Sequence, residues 1–211
     1  MSKVTTKNPV RLSYTNLLTP RAQDSEKPDV LTYSTAILIP KSDTDTVKAV
    51  QAAIKEALAE GVIKKWAGKT PNGLRNPLRD GDADRPDDEV YAGMWFINAK
   101  GPKGGQEKPI LLDSKGNLTD STDDIYSGVE ARVQLQFFAY DKAGNRGVGA
   151  SVSSVLSLGV GEPLANAVTE SSARNEFGIS TPASKAAADF AGDKPTAEAV
   201  TESDDSDPWA S

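Results

Sequence analysis

The segment Gly128–Asp141 constrains the fold more than any other. Its odd positions, Val129, Ala131, Val133, Leu135, Phe137 and Ala139, are all apolar. Its even positions are Glu130, Arg132, Gln134, Gln136, Phe138 and Tyr140. A period of two puts alternate side chains on opposite faces of an extended chain, so this segment predicts a long strand with one face in a core. Lys142-Ala-Gly144-Asn145 supplies a hairpin turn. Arg146–Leu158 returns as a second strand, glycine-rich at Gly147 and Gly149 and then β-branched.

The rest of the body fits around this hairpin. Residues 10–18 alternate, with Val10, Leu12 and Tyr14 on one side and Arg11, Ser13 and Thr15 on the other. They read as a half-buried strand, followed by a polar loop over Thr19–Asp29. Val30–Ile39 is a second β-branched strand, stopped by Pro40. Ser42 is placed to cap a helix whose apolar stripe is Val47, Val50, Ile54, Ala57 and Leu58, with Gly61 as its stop. Such a helix would plug one end of a sheet or barrel. Val90–Lys100 and Pro109–Asp113 are further strands, with a loop tip at Gly101–Gly105 and a turn at Ser114–Asn117. Two long strands, several short ones and one helix predict a small, mainly β barrel.

Charge separates this body from the C-terminal quarter of the chain. Residues 1–161 carry 21 basic and 20 acidic side chains, net +1, whereas residues 162–211 carry 3 and 10, net −7. The formal total of −6 therefore hides a nearly neutral body and an acidic end. After Phe177 the bulky apolar residues are Ile179, Phe190, Val200 and Trp209. That is too little to offset the entropy of ordering the segment, so 166–211 is expected to be a flexible tail behind a domain of residues 1–165, with a short helix over Ala183–Phe190. At its end Asp204, Asp205 and Asp207 surround Trp209. Acids around one aromatic anchor make a short recognition element for a protein partner.

Several chemistries lack their residues. With no His and no Cys there is no Ser-His-Asp or Cys-His catalysis, no disulfide, and no zinc or iron–sulfur site built on them. Asp80-Gly-Asp82-Ala-Asp84 imitates the start of a calcium-binding loop, but Arg85 and Tyr91 stand where such a loop needs Gly and Glu. Asp87 with Asn98-Ala99-Lys100 has the outline of a metal-dependent nuclease pattern, but Asn98 replaces a required carboxylate. The expectation is no enzyme, no metal and no cofactor. The longest aliphatic run, Ala36–Ile39, is too short to span a membrane and no secretory signal opens the chain, so a cytoplasmic protein is expected.

What the pattern offers instead is a surface for unpaired nucleic acid. Phe138 and Tyr140 lie on the polar face of the long strand, where flat rings can stack on bases. They would equally suit packing under a loop or helix. Tyr14, Tyr33 and Trp95 could extend the platform or belong to the core. Arg11, Lys100, Lys103, Arg132, Lys142 and Arg146 are cations available to phosphates. The polar insert Pro71–Glu89 reads as a mobile arm carrying Arg75, Arg79 and Arg85.

Five blocks of sequence resemble a known family. They are Arg11-Leu-Ser-Tyr14; Asn76-Pro-Leu-Arg79-Asp80-Gly-Asp82; Tyr91-Ala-Gly93-Met-Trp-Phe96-Ile-Asn98-Ala99; Asp124-Ile-Tyr126-Ser-Gly128; and Phe138-Ala-Tyr140-Asp-Lys-Ala-Gly144-Asn145. With Gly161-Glu-Pro-Leu164 closing the match, residues 10–165 resemble phage-encoded single-stranded DNA-binding proteins of the OB-fold type. The resemblance implies an OB-fold-like five-stranded β-barrel with one amphipathic helix, long inserts and a disordered acidic tail. It also implies a non-catalytic protein that coats single-stranded DNA in phage replication and recombination, in the host cytoplasm. Replication partners (a polymerase, helicase or primase) would meet the tail, and a homo-oligomer is compatible with this. Trp209 is followed by Ala210 and Ser211, a departure from an architecture that ends on its aromatic. The alternative classes are a phage assembly protein built on a β-barrel and a nuclease using the acids of the insert.

Overall fold

The computed structural model describes residues 2–164 except Asp24 and Ala143, together with 173–174 and 176–178. Among the described residues eight strands form in chain order: β1 (Ser2–Thr5), β2 (Val10–Ala22), β3 (Leu31–Pro40), β4 (Leu78–Asp80), β5 (Met94–Lys100), β6 (Ile110–Leu112), β7 (Glu130–Lys142) and β8 (Asn145–Ser157). One long helix, α1 (Thr44–Lys64), stands between β3 and β4. Of two single turns, α2 (Gly81–Asp84) sits beside β5 and α3 (Pro102–Gly105) beside β3 and β8.

Strand pairing closes a ring. β2 runs antiparallel to β3, β3 to β5, β7 to β8 and β7 to β2. The remaining contact, β5 to β8, is parallel and rests on Lys100 opposite Ser151. Those five strands make the barrel expected of an OB-fold. The other three lengthen its edges, β1 along β7, β4 along β5 and β6 along β8.

The long alternating segment behaves as its pattern demands. Val129, Ala131, Val133, Leu135 and Phe137 are at most 1% exposed, inside one core with Leu12, Ile37, Ile97 and Val152. Burying each large aliphatic or aromatic side chain contributes about 1.5–3 kcal/mol. Val47, Val50, Ala53, Ile54 and Ala57 of α1 enter the same core, so the helix packs on the barrel as its stripe predicts.

Other details depart from the sequence reading. Asp43, not Ser42, caps α1, accepting from the Thr46 N–H at 3.1 Å and from Asn8 Nδ2 at 2.7 Å. Gly61 does not stop the helix but lies inside it. A Cβ there would come within 2.4 Å of the Ala139 Cβ and 2.8 Å of the Trp66 ring, so glycine is needed for close packing. β2 continues to Ala22, pairing Arg21 with Thr32 across what reads as a loop. β5 begins only at Met94, because Val90 and Tyr91 form a 3-10 turn. The insert is no mobile arm: it contains β4 and α2 and is hydrogen-bonded to β5. Gly101–Gly105 makes an irregular turn with Lys103 at φ 51°. The tail residues Asp204, Asp205, Asp207 and Trp209 and the Ala183–Phe190 helix lie outside the described residues.

The ring is stapled by the segment that follows β8. Val160 O accepts from the Glu130 N–H and Ser127 O from the Leu164 N–H, each at 2.8 Å. Gly128 sits at φ 111° within this staple, where a Cβ would fall 2.1 Å from Glu162 O. Gly128→Ala should therefore cost more than about 2 kcal/mol, read as a lower urea midpoint. Asp43→Ala should cost about 1 kcal/mol at neutral pH. Burial pushes the Asp43 carboxyl up, but hydrogen bonds from Thr46 and Asn8 outweigh it and hold it below its ordinary value. That part of the stability is complete above the unfolded value and disappears as pH falls through the folded one, so the variant and parent midpoints should converge in acid.

Candidate nucleic-acid interface

On β3 and β5 the side chains alternate between the barrel core and the outer surface. Ile37, Ile39, Ile97 and Ala99 face the main core. Leu38 and Phe96 face outward, yet both are fully buried. The insert covers them, forming a second small core with Tyr91, Val90 and Met94. Tyr91 meets the Phe96 ring edge-on, centroids 5.1 Å apart at 88°.

A lysine fastens this cover. Lys41 Nζ donates to Asp80 at 2.5 Å and Asp82 at 2.7 Å and lies 5.2 Å from the Trp95 ring centroid. Asp80 also caps α2, and Asp82 accepts from the Gly93 N–H at 2.8 Å. The guanidiniums above the second core are thereby placed. Arg79 lies 4.9 Å from the Phe96 centroid and pairs with Asp84 at 2.8 Å. Arg85 lies over three rings, 4.6 Å from Tyr91, 5.4 Å from Tyr14 and 5.9 Å from Phe96.

What the insert leaves uncovered is an open groove of about 390 Å³. Ser34, Ala36, Asn98 and Lys100 form its floor, with Tyr14, Asn16, Gln23 and Arg85 along its sides. Among the described residues no carboxylate lines it. Tyr14 is 58% exposed at φ 48°, a left-handed backbone that a bulky residue adopts only under constraint. The constraint is the register shift between Ser13 and Asn16 against β3. It breaks the alternation that would have set Tyr14 on the side of Val10 and Leu12. A base-sized concavity, an exposed ring, two cations and neutral amides can stack a base and neutralise a phosphate.

The groove gathers only some of the residues singled out in the sequence. Tyr14 and Lys100 line it, and Lys100 makes no ion pair with another described residue. Tyr33 and Trp95 stand on the core-facing side of their strands, and Trp95 packs against the main core. Arg11 donates to Gly128 O and Glu162 O, and Arg132 to Thr6 O, so both hold backbone. The backbone of Arg75 bridges to Gly147. Lys103 pairs with Glu107, and Arg146 with Asp141 in the β7–β8 hairpin, where Lys142 is exposed. Phe138 and Tyr140 are half-buried on the outer face of β7 and neither lines the groove. The Phe138 ring lies over Gly149, within 2.8 Å of where a Cβ would stand.

Arg85, read as part of a mobile arm, stands at the side of the groove, and Asn98, Asn16, Gln23 and Ser34 join it without having been singled out in the sequence. Asn98 was open to detection, since it stands two residues from Lys100 and shares its face. Four acids of the insert are paired: Asp80 and Asp82 hold Lys41, Asp84 holds Arg79, and Asp88 lies 3.6 Å from Arg85. Among the described residues no three acids are grouped to hold a metal ion, and no helix is long and apolar enough to cross a membrane.

Residues 2–191 match the family of the Enterobacter phage Enc34 single-stranded DNA-binding protein. The chain belongs to this family. Protein p50 of the Acyrthosiphon pisum secondary endosymbiont phage 1 is 32% identical over 154 residues, covering 70% of this chain and 79% of that protein. The Enc34 protein in complex with single-stranded DNA superposes with a TM-score of 0.63 at 24% identity, over 77% of this chain and 88% of that one. The bacteriophage T7 single-stranded DNA-binding protein gp2.5 superposes at 0.53 and 19% identity, over 81% and 98%. With both solved structures this member of the Enc34 family shares the fold.

The Lys41 fastening gives a pH prediction. Hydrogen bonds from Lys41 are the main cause holding Asp80 and Asp82 below the ordinary aspartate value of 3.8, helped for Asp82 by the Gly93 N–H. Both groups titrate lower folded than unfolded, so their contribution is complete above 3.8 and is lost as pH falls through the folded values. Lys41→Met should flatten the acid limb of stability, measured as urea midpoints between about pH 2 and 5.

Proposed function

We propose that this protein coats single-stranded DNA in phage replication and recombination by laying the strand across the Tyr14 groove. The supporting observation is the groove itself: among the described residues no carboxylate lines it, Lys100 lies in its floor and Arg85 at its side, and an exposed ring is held in a strained backbone. Bases stack on Tyr14 while Arg85 and Lys100 meet phosphates. Every base has a flat face, so this binding tolerates sequence. The role is binding, not catalysis, and it is carried out in the host cytoplasm. Phe138 and Tyr140, with Lys142, Arg146 and Arg75 near the β7–β8 hairpin, are a second surface along which a longer strand could continue.

The charge split supports a role for the tail. Net −7 over residues 162–211 can compete with DNA for the groove and, once displaced, engage replication proteins through Asp204, Asp205, Asp207 and Trp209. Deleting residues 198–211 should raise affinity for oligo-dT at low salt. No rise would remove self-competition from the reading.

For the groove, Tyr14→Ala should weaken oligo-dT binding by about tenfold, within the 1–3 kcal/mol typical of one stacked base. Lys100→Ala should reduce the slope of log affinity against log salt by about 0.7. Fluorescence anisotropy with melting curves for each variant decides this. Unchanged affinity in both folded variants would move the DNA elsewhere on the protein.

A further inference from the structure

An acid near a DNA site ordinarily opposes binding, because it repels phosphates. Asp80 and Asp82 stand close in the chain to Arg85, the cation at the side of the groove, yet neither lines the groove. Their hydrogen bonds run to the scaffold instead. Lys41 Nζ donates to Asp80 Oδ1 at 2.5 Å and to Asp82 Oδ2 at 2.7 Å. Asp80 Oδ1 also accepts from the Asp82 N–H at 3.0 Å, and Asp82 Oδ1 from the Gly93 N–H at 2.8 Å. The Lys41 N–H donates to Gly93 O at 3.0 Å. The end of β3, the turn α2 and the entry to β5 are tied together at this one point.

The tie fixes where Arg85 begins. Gly81, between the two acids, is buried, and a Cβ there would come within 2.2 Å of Tyr91 O. The α2 turn is therefore seated directly on the backbone of Tyr91. Arg85 follows the turn, its N–H donating to Gly81 O at 2.9 Å. Its side chain is aimed by the Tyr91 and Tyr14 rings and by Asp88 at 3.6 Å. The backbone from which that side chain reaches is set by α2, and α2 is set by the clamp on Lys41.

We propose that Asp80 and Asp82 are positioning residues for DNA binding: through Lys41 and Gly93 they hold α2 so that the Arg85 guanidinium stands at the side of the groove, where it meets a phosphate. This rests on the groove being the DNA site and adds how one of its cations is placed. Position and charge then act in opposite directions. By charge alone, losing either acid tightens the hold on a polyanion. By position, losing it weakens that hold.

Fluorescence anisotropy with oligo-dT and the full-length protein separates the two. Asp80→Asn together with Asp82→Asn removes two negative charges and releases Lys41, while asparagine can still cap α2. This double variant should bind about fivefold more weakly, within the coupling typical of residues in one hydrogen-bonded network. Arg85→Ala alone should also weaken binding, and in that background the two asparagines should weaken it no further. A merely structural role lowers the melting temperature in both backgrounds and does not depend on Arg85 in this way. Should the double variant not fold, Asp82→Asn keeps the Asp80–Lys41 pair and an oxygen for the Gly93 N–H, and it should weaken binding in the same direction by a smaller factor. Tighter or unchanged binding by the folded variants, or equal weakening with and without Arg85, overturns the positioning role while leaving the groove as the DNA site. If Tyr14→Ala and Lys100→Ala both leave affinity unchanged, the groove reading falls and the positioning role with it.

Discussion

A five-stranded ring needs a strand that pairs along both edges, and β7 supplies it. One edge carries β8 along its whole length, from Ala131 opposite Ser157 to Lys142 opposite Asn145. The other carries β2 at Glu130 and Ala131 and then β1 from Gln134 to Phe137. Because both edges are used, the inward side chains of β7 meet every other part of the barrel. Val133, Leu135 and Phe137 thus share one core with α1, β2, β3 and β5. The parallel β5–β8 contact is confined to Lys100 and Ser151 and completes a ring that β7 has already organised.

The outer surface is shaped by the faces that the ring leaves bare. Leu38 and Phe96 on neighbouring strands would present an apolar patch to water, and the insert seals it with Tyr91. The seal stops short of Asn98 and Lys100, and that boundary is the upper wall of the groove. Arg85 stands on the boundary, and its three ring contacts join the cover at Tyr91, the buried Phe96 of β5 and Tyr14 in one assembly. The groove is the uncovered remainder of a sheet face, so its shape depends on how firmly the insert is held.

The parts legible in the sequence were those fixed by short-range pattern. The alternation over Val129–Phe137 and the stripe from Val47 to Ala57 needed no tertiary information. The insert did not yield to the same reading, because its order comes from Lys41 reaching acids 39 and 41 residues away and from Tyr91 packing on β5. Its abundance of Asp looked like solvated loop. Tyr14 was a candidate for the platform, but its exposed placement escaped the alternation, because a register shift is invisible to a rule of two. Ser42 and Asp43 are both good caps, and composition alone could not choose between adjacent residues. Gly61 has the chemistry of a helix stop, and only the Trp66 ring beside it reveals a packing role.

The position of Arg85 over Tyr14 has a consequence for how a strand can travel across this surface. A tyrosine free on both sides can slip between successive bases and separate them. Here one side is already occupied by a guanidinium 5.4 Å from the ring centroid. For a strand laid across it, the ring would be a one-sided platform, able to end a stack and not to interrupt one. A strand passing over it would keep its remaining bases stacked on one another, with the tyrosine serving as the terminal step.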